Sequence, residues 1–251
     1  MRPSAARISN PTPDNVCTVT YREVKGKKII TANRDETPLR AARELSPYLT
    51  ASGEAWHIAR EPVKGGTNMA VGENGAVCVL LNGAFQAHAP GGHYGKSRGL
   101  VVLESLEYST LKAFAEAGDL SNTEPFTLLR FGDVTEEMRR DSERTHYTSY
   151  SDGSERLWAS AQLYSEKVRE DRKRWFRHLL ASDPDADALL DFHLRGGEGD
   201  PENDMVMNRG GLVKTVSVTS VRIGPGEIAV IHRDLIRDSL QKLDIRRTAP
   251  C

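Results

Sequence analysis

Polar and apolar residues alternate in Cys17-Thr18-Val19-Thr20-Tyr21, and a β-branched stretch, Lys28-Ile29-Ile30-Thr31-Ala32, returns beyond Lys25-Gly26. A period of two on either side of a glycine-bearing turn predicts a β-hairpin. With Lys25 and Gly26 as the two central turn residues, Ile30 faces Tyr21, Ala32 faces Val19 and Arg34 faces Cys17. Directly opposed residues share one face of a sheet, and a slip of one position would move Arg34 to the other face. A second hairpin is expected from residues 68–71 through Asn74-Gly75 to residues 77–81. A two-residue turn there sets Asn82 opposite Thr67, just after Gly65-Gly66, where the lack of side chains would let a ligand approach the backbone.

Further along, residues 97–106 and 110–117 carry helical patterns. Ser109 is the expected N-cap and Gly118 the stop of the second, and both helices are expected to cover a sheet face. Residues 126–131 read as a strand, and strand-like stretches flank Ser151-Asp152-Gly153 within residues 147–158. Residues 165–181 predict an amphipathic helix, with Val168, Trp175, Phe176, Leu179 and Leu180 on one side. Its other side carries Lys167, Arg169, Asp171 and Lys173, a mixture of signs that predicts a solvated face. A short helix at 186–194, a loop at 196–201 and two strands at 212–223 and 227–232 complete the pattern, without internal repeats.

Composition narrows the possible classes. A chain of 251 residues with 38% hydrophobic and 27% charged residues can bury a full core. One domain over residues 16–251 is expected, behind a leader of residues 1–15 that is disordered or never translated. That leader is rich in Pro, Ser and Asn, and Arg2 and Arg7 precede no hydrophobic segment of a secretory signal. Lys plus Arg (34) balance Asp plus Glu (35), which leaves no bulk field to draw nucleic acid or an anionic membrane. A small-molecule substrate or ligand is the expected partner, and the sequence is silent on oligomeric state. No apolar run nears the roughly 18 residues of a membrane span. Cys17, Cys78 and Cys251 are odd in number and far apart, a pattern that suits a reducing cytoplasm and disfavours a disulfide framework or zinc site.

Several motifs fall short of chemistry. Gly91-Gly92-His93-Tyr94-Gly95-Lys96-Ser97 fails as a phosphate loop because Pro90 stands where the first glycine is required. His88 and His93 lack a third ligand in register, so neither a metal nor any other cofactor is expected. The remaining histidines are scattered singly, and Cys78, inside an apolar strand, reads as a small buried hydrophobe. What stands out is Cys17 with Asn33-Arg34-Asp35-Glu36: a thiol, a guanidinium and carboxylates at the ends of adjacent strands. The bland alternative is an Arg34–Asp35 ion pair closing the sheet, with Cys17 as ordinary core.

These residues, followed by Gly65-Gly66-Thr67, Leu81-Asn82, Ser97-Arg98-Gly99, Trp158-Ala159-Ser160 and Thr215-Val216-Ser217, resemble the NRDE family. That family takes its name from the tetrapeptide and includes transport and Golgi organisation protein 2; the resemblance spans about residues 16–232. Asn68, where Trp is commoner, and Gly83, where Tyr is commoner, depart from it near the substrate pocket. The family is similar to the N-terminal nucleophile hydrolases of the choloylglycine hydrolase and penicillin V acylase branch. This implies an α+β fold, a four-layer αββα sandwich of two antiparallel sheets. It further implies Cys17 as nucleophile, Arg34 and Asp35 as its orienting pair and Asn82 as an oxyanion-hole donor. Asn33, Glu36, Thr67, Ser160 and Thr215 are then supporting residues, and no asparagine near Ala159-Ser160 matches the branch's second donor.

The implied reaction is hydrolysis of a linear amide, a C–N bond other than a peptide bond, through a thioester. A free α-amine, with a pKa near about 7.7, can take the thiol proton, whereas a peptide nitrogen cannot. Activity is therefore expected only once Cys17 is N-terminal. Translation from a GTG codon at Val16 with removal of the initiator Met would achieve this, as would autocatalytic cleavage of the Val16–Cys17 bond. Arg34 is expected to lower the thiol pKa. Eukaryotic relatives suggest the alternative of a non-catalytic binding or trafficking protein for a lipid, an acyl-CoA or haem.

Overall fold

The computed structural model describes residues 16–89, 94–151 and 153–248, so the leader, His93 and Cys251 lie outside the described residues. The chain opens with the hairpin of β1 (Val16–Val24) and β2 (Lys27–Glu36). Lys25 and Gly26 have φ of 50° and 72°, as a two-residue turn with both central residues at positive φ demands. The register is therefore fixed as Cys17↔Arg34, Val19↔Ala32 and Tyr21↔Ile30. There follow β3 (Ser46–Leu49), β4 (Ala55–Ile58), β5 (Met69–Gly72) and β6 (Val77–Asn82), then helices α1 (Arg98–Ser105) and α2 (Leu111–Ala117). Next come β7 (Phe126–Phe131), β8 (Thr135–Arg140), β9 (Thr145–Tyr150) and β10 (Arg156–Ala159), then α3 (Glu166–Leu180) and α4 (Ala186–Arg195). The chain closes with β11 (Asn208–Arg209), β12 (Val213–Ile223), β13 (Glu227–Asp234) and β14 (Ser239–Arg246).

Two antiparallel sheets result. The first runs β10-β1-β2-β12-β13-β14, with β11 paired to β12; the second runs β3 through β9 in sequence order. Three buried clusters define the layers. Val19, Tyr21 and Ile30 of the first sheet meet Val79, Leu81 and Phe131 of the second between the sheets. Cys78, Leu80 and Leu128 face outward from the second sheet onto Val102, Leu111 and Phe114 of α1 and α2. Ile29 and Leu157 face outward from the first sheet onto Phe176, Leu189 and Phe192 of α3 and α4. Successive side chains of a strand point to opposite faces, so strands covered on both sides read as near-continuous apolar runs, as in Val77–Asn82. The architecture is an α+β, four-layer αββα sandwich. No helix among the described residues is long and apolar enough to cross a membrane.

The second hairpin departs from its expected register. Gly75 has φ of 90°, and Gly72 N–H donates to the Ala76 carbonyl (2.8 Å), so three residues, not two, make the loop. Met69 consequently pairs Val79 and Ala70 pairs Cys78, and Thr67 is not opposite Asn82. Thr110, not Ser109, caps α2, its side chain accepting from Ala113 N–H. The strands flanking Ser151 and Gly153 join different sheets. Strands β3, β4, β8, β11 and β14 have no counterpart in the sequence pattern. In β8 the sequence Thr-Glu-Glu-Met-Arg-Arg hides a buried strand because specific partners satisfy its charges: Glu136 accepts from Leu111 N–H (3.0 Å) and Tyr147 Oη–H (2.8 Å).

Candidate active site

The two-residue period of β2 divides the Asn33-Arg34-Asp35-Glu36 tetrapeptide between two layers. Arg34 and Glu36 point into the space between the sheets, on the face of Cys17; Asn33 and Asp35 point toward α3 and α4. Between the sheets, Asn68 Nδ2 donates to Cys17 Sγ (3.6 Å), while Arg34 Nη1 donates to Asn68 Oδ1 (3.4 Å). Arg34 Nη2 lies 3.6 Å from Glu36 Oε2, and Arg40 Nη1 lies 3.4 Å from the same oxygen. Arg40 Nε also donates to Glu61 Oε2 (3.3 Å), so a chain of alternating charges runs from the thiol's neighbours to the loop before β5.

On the other face, Asp35 is gripped by Thr215 Oγ1–H and by Tyr164 Oη–H (2.7 Å). A β-bulge makes the first grip possible. Thr215 pairs Asp35, yet Ser217 pairs Arg34, so Val216 is the extra residue in β12. Without it, regular pairing would set Val216 opposite the carboxylate. Bulges beside functional sites re-aim side chains in this way. Asn33 Nδ2 donates to the carbonyls of His193 (2.9 Å) and Met205 (2.6 Å), tying β2 to α4 and the loop beyond it. Arg172 of α3 donates to Thr18 Oγ1 and stacks 3.8 Å from the Tyr164 ring centroid. Asp35 and Asn33 thus anchor the strand that carries Arg34, with no hydrogen bond to the thiol.

A cavity of about 210 Å³ opens at Cys17, and Arg34, Thr67, Asn68 and Asn82 help line it. Thr67 and Asn82 therefore share this wall although they are not paired. Ser160 joins the parts: its N–H donates to the Cys17 carbonyl (3.0 Å) and its Oγ–H to the Asn82 carbonyl (2.5 Å). Gly66 does approach another backbone closely, but the approaching group is the chain itself. A Cβ on Gly66 would lie 2.6 Å from the Gly99 carbonyl carbon, and Thr67 N–H donates to the Gly99 carbonyl (3.1 Å). The contact of Asn68 with the thiol, and the roles of Arg40 and Glu61, were missed from sequence. Asn68 stands out only as a departure beside Thr67, Glu61 lies four residues before Gly65, and the signal for Arg40 is its place four residues after Glu36.

Arg34 does pull the thiol pKa down, but burial outweighs it. Cys17 is 2% exposed, and burial, joined by the field of Asp35, pushes its pKa up to about 12 against the pull of Arg34 and Asn68. The expectation of a guanidinium-lowered thiol is therefore corrected: desolvation of the thiolate dominates. Burial likewise raises the Asp35 carboxyl, opposed by Arg172, and the Glu36 carboxyl, opposed by Arg40 and Arg34. Cys78 is fully buried in the α1–α2 cluster, with its thiol raised by burial to about 11. Among the described residues, no group of three or more His, Cys, Asp or Glu is placed to hold a metal ion.

Solved structures of similar fold include a Caenorhabditis elegans ortholog of N-acylethanolamine-hydrolyzing acid amidase. It has a TM-score of 0.53 and 11% identity, over 81% of this chain and 91% of that one. A variant of the conjugated bile acid hydrolase from Clostridium perfringens has a TM-score of 0.51 and 11% identity, over 94% of this chain and 99% of that one. At such identities the likeness is one of fold. No curated protein matches the chain in sequence. The family described as Transport and Golgi organisation 2 matches residues 16–193, most of the chain, with β1, β2 and the tetrapeptide inside the match. The chain belongs to the Transport and Golgi organisation 2 family.

Proposed function

We propose that this chain is a cysteine amidohydrolase of the N-terminal nucleophile type, cleaving a linear amide C–N bond of a small molecule once Cys17 is the first residue. The observation that carries this reading is the placement of Cys17 Sγ against Asn68 and Arg34 at the wall of an inter-sheet cavity shared with Asn82 and Thr67. The fold likeness to two amide hydrolases supports it. In this reading the Cys17 α-amine takes the thiol proton as Sγ bonds to the substrate carbonyl carbon. An N–H of Asn82 stabilises the oxyanion, an effect of about 3 to 4 kcal/mol per donor in known cases. The C–N bond then breaks, the amine leaves with the proton, and water cleaves the thioester to release the acid and restore the thiol. A Cys17 whose nitrogen lies in a peptide bond has no such base, and its raised pKa accords with a resting thiol.

The test compares the full chain with a chain beginning at Cys17, each treated with a β-lactam as an amide-like electrophile and weighed intact. Stoichiometric acylation of Cys17 only in the chain that begins there, with Cys78 untouched, is the expected result. Native protein that still carries residue 16 sinks the hydrolase reading. The buried, protonated thiol favours a second reading, a binding or trafficking protein for a lipid, an acyl-CoA or haem on the same scaffold. Full biological activity of Cys17→Ser would favour that alternative.

A further inference from the structure

A second cavity, about 460 Å³, is lined by β10 at the edge of the first sheet, by β6 to β9 of the second and by α3. Its described lining shares no residue with the Cys17 cavity, so a ligand held there needs no hydrolysis at Cys17. The floor is apolar, formed by Leu81, Leu157, Trp158 and Phe176, all buried. The rim is cationic. On α3, Arg169, Lys173, Phe176, Arg177 and Leu180 recur three or four residues apart and all line the cavity, so one helical stripe supplies charge and apolar surface together. The basic residues read from sequence as a solvated face thus partly overhang a pocket.

The acids of the lining are largely engaged. Glu137 accepts from Arg139 Nε–H (2.6 Å) and Trp158 Nε1–H (2.6 Å), Glu170 from Lys173 Nζ–H (2.7 Å), and Glu155 lies 3.7 Å from Arg22. Arg169 and Arg177, in contrast, form no ion pair among the described residues. Arg169 spends Nη1 on the Phe85 carbonyl (3.2 Å), and its Nε is buried without a hydrogen-bond partner. Arg169 and Arg177 both line the cavity, so a ligand carboxylate there would meet two guanidinium groups that no acid of the described residues pairs. Arg156 lies 4.0 Å from the Tyr150 ring centroid, and Arg139 5.1 Å from that of Phe85. Stacking of this kind fixes guanidinium planes.

We propose that this cavity binds a small amphipathic carboxylate, its head between Arg169 and Arg177 and its apolar chain on the floor of Leu81, Trp158 and Phe176. The volume falls within the roughly 300–1,000 Å³ of small-molecule sites. A neutral molecule of the same shape would leave the guanidinium charges of Arg169 and Arg177 unmatched, and a wholly polar anion would leave the floor wet.

The full chain is titrated with decanoate, followed by calorimetry and tryptophan fluorescence, with decanol as the uncharged counterpart. One-to-one binding is expected, about tenfold weaker for decanol and at least tenfold weaker in the Arg169→Gln/Arg177→Gln variant. Cys17→Ser binds as the parent does. Arg177→Gln alone, at an exposed position, guards against misfolding of the pair and weakens binding about threefold. Decanol equal to decanoate, an undiminished double variant, no saturable binding, or loss of binding in Cys17→Ser each overturns the proposal.

Discussion

At the residue scale, one strand distributes two jobs among neighbouring side chains. Arg34 lines the cavity at Cys17 with Glu36 beside its guanidinium, whereas Asn33 and Asp35, held by His193, Met205, Thr215 and Tyr164, fix β2 to the layer behind it. The thiol is governed by where it sits more than by what it touches. Its pKa is raised from 9.0 to about 12 by burial, so as pH rises the unfolded chain ionises first. Stability from this group is complete below about 9 and is lost as pH climbs toward about 12. Cys78, raised to about 11, contributes in an overlapping window. Thermal unfolding of the full chain is expected to show Tm falling across that range, with a shallower fall in Cys17→Ala. Iodoacetamide at pH about 8 should leave folded Cys17 unlabelled over a time in which the denatured chain reacts fully, since the thiolate is the nucleophile.

Turns and crossings decide geometry at the scale of elements. The β1–β2 register was legible because Lys25 and Gly26 both take positive φ in a two-residue turn, and everything up to Cys17 and Arg34 follows from it. The β5–β6 register was not, because Asn74-Gly75 suits both a two-residue turn and the three-residue loop observed, and the sequence does not separate them. The bulge at Val216 was equally hidden, although it decides that Thr215 meets Asp35. The start of α1 crosses the Gly65-Gly66-Thr67 loop at Gly99 so closely that a Cβ at Gly66 finds only backbone, 2.6 Å away. Gly66→Ala is expected to cost about 1–3 kcal/mol, typical of overpacking, measured by urea unfolding. It should also break the Thr67–Gly99 hydrogen bond, seen as faster hydrogen exchange at Thr67 N–H.

Across the whole molecule, the two sheets are joined by apolar side chains more than by backbone. Phe131 of the second sheet, fully buried, stacks 5.4 Å from Tyr21 of β1 and meets Trp158 of β10 edge-on at 5.7 Å. Removing it leaves a void at the seam that rigid sheets close poorly. Phe131→Ala is expected to destabilise the fold by about 3–5 kcal/mol, read as a lower urea midpoint with an unchanged slope.

The sequence alone determined what depends on near neighbours: the first hairpin and its register, the helical stripes, and the alternation that buries strands on both faces. The four-layer sandwich was legible only through the family resemblance, since periodicity cannot say which faces meet. Tertiary structure decided what depends on distant partners. Glu136 and Glu137 could enter a buried strand because Leu111, Tyr147 and Trp158 come from other elements to satisfy them, Arg139 of the same strand adding a local partner for Glu137. Asn68 reached the thiol only because the two sheets close on one another. The same closure desolvates Cys17 and sets its pKa against the pull of Arg34. Burial is a property of the assembled layers, and no local pattern in the chain encodes its magnitude.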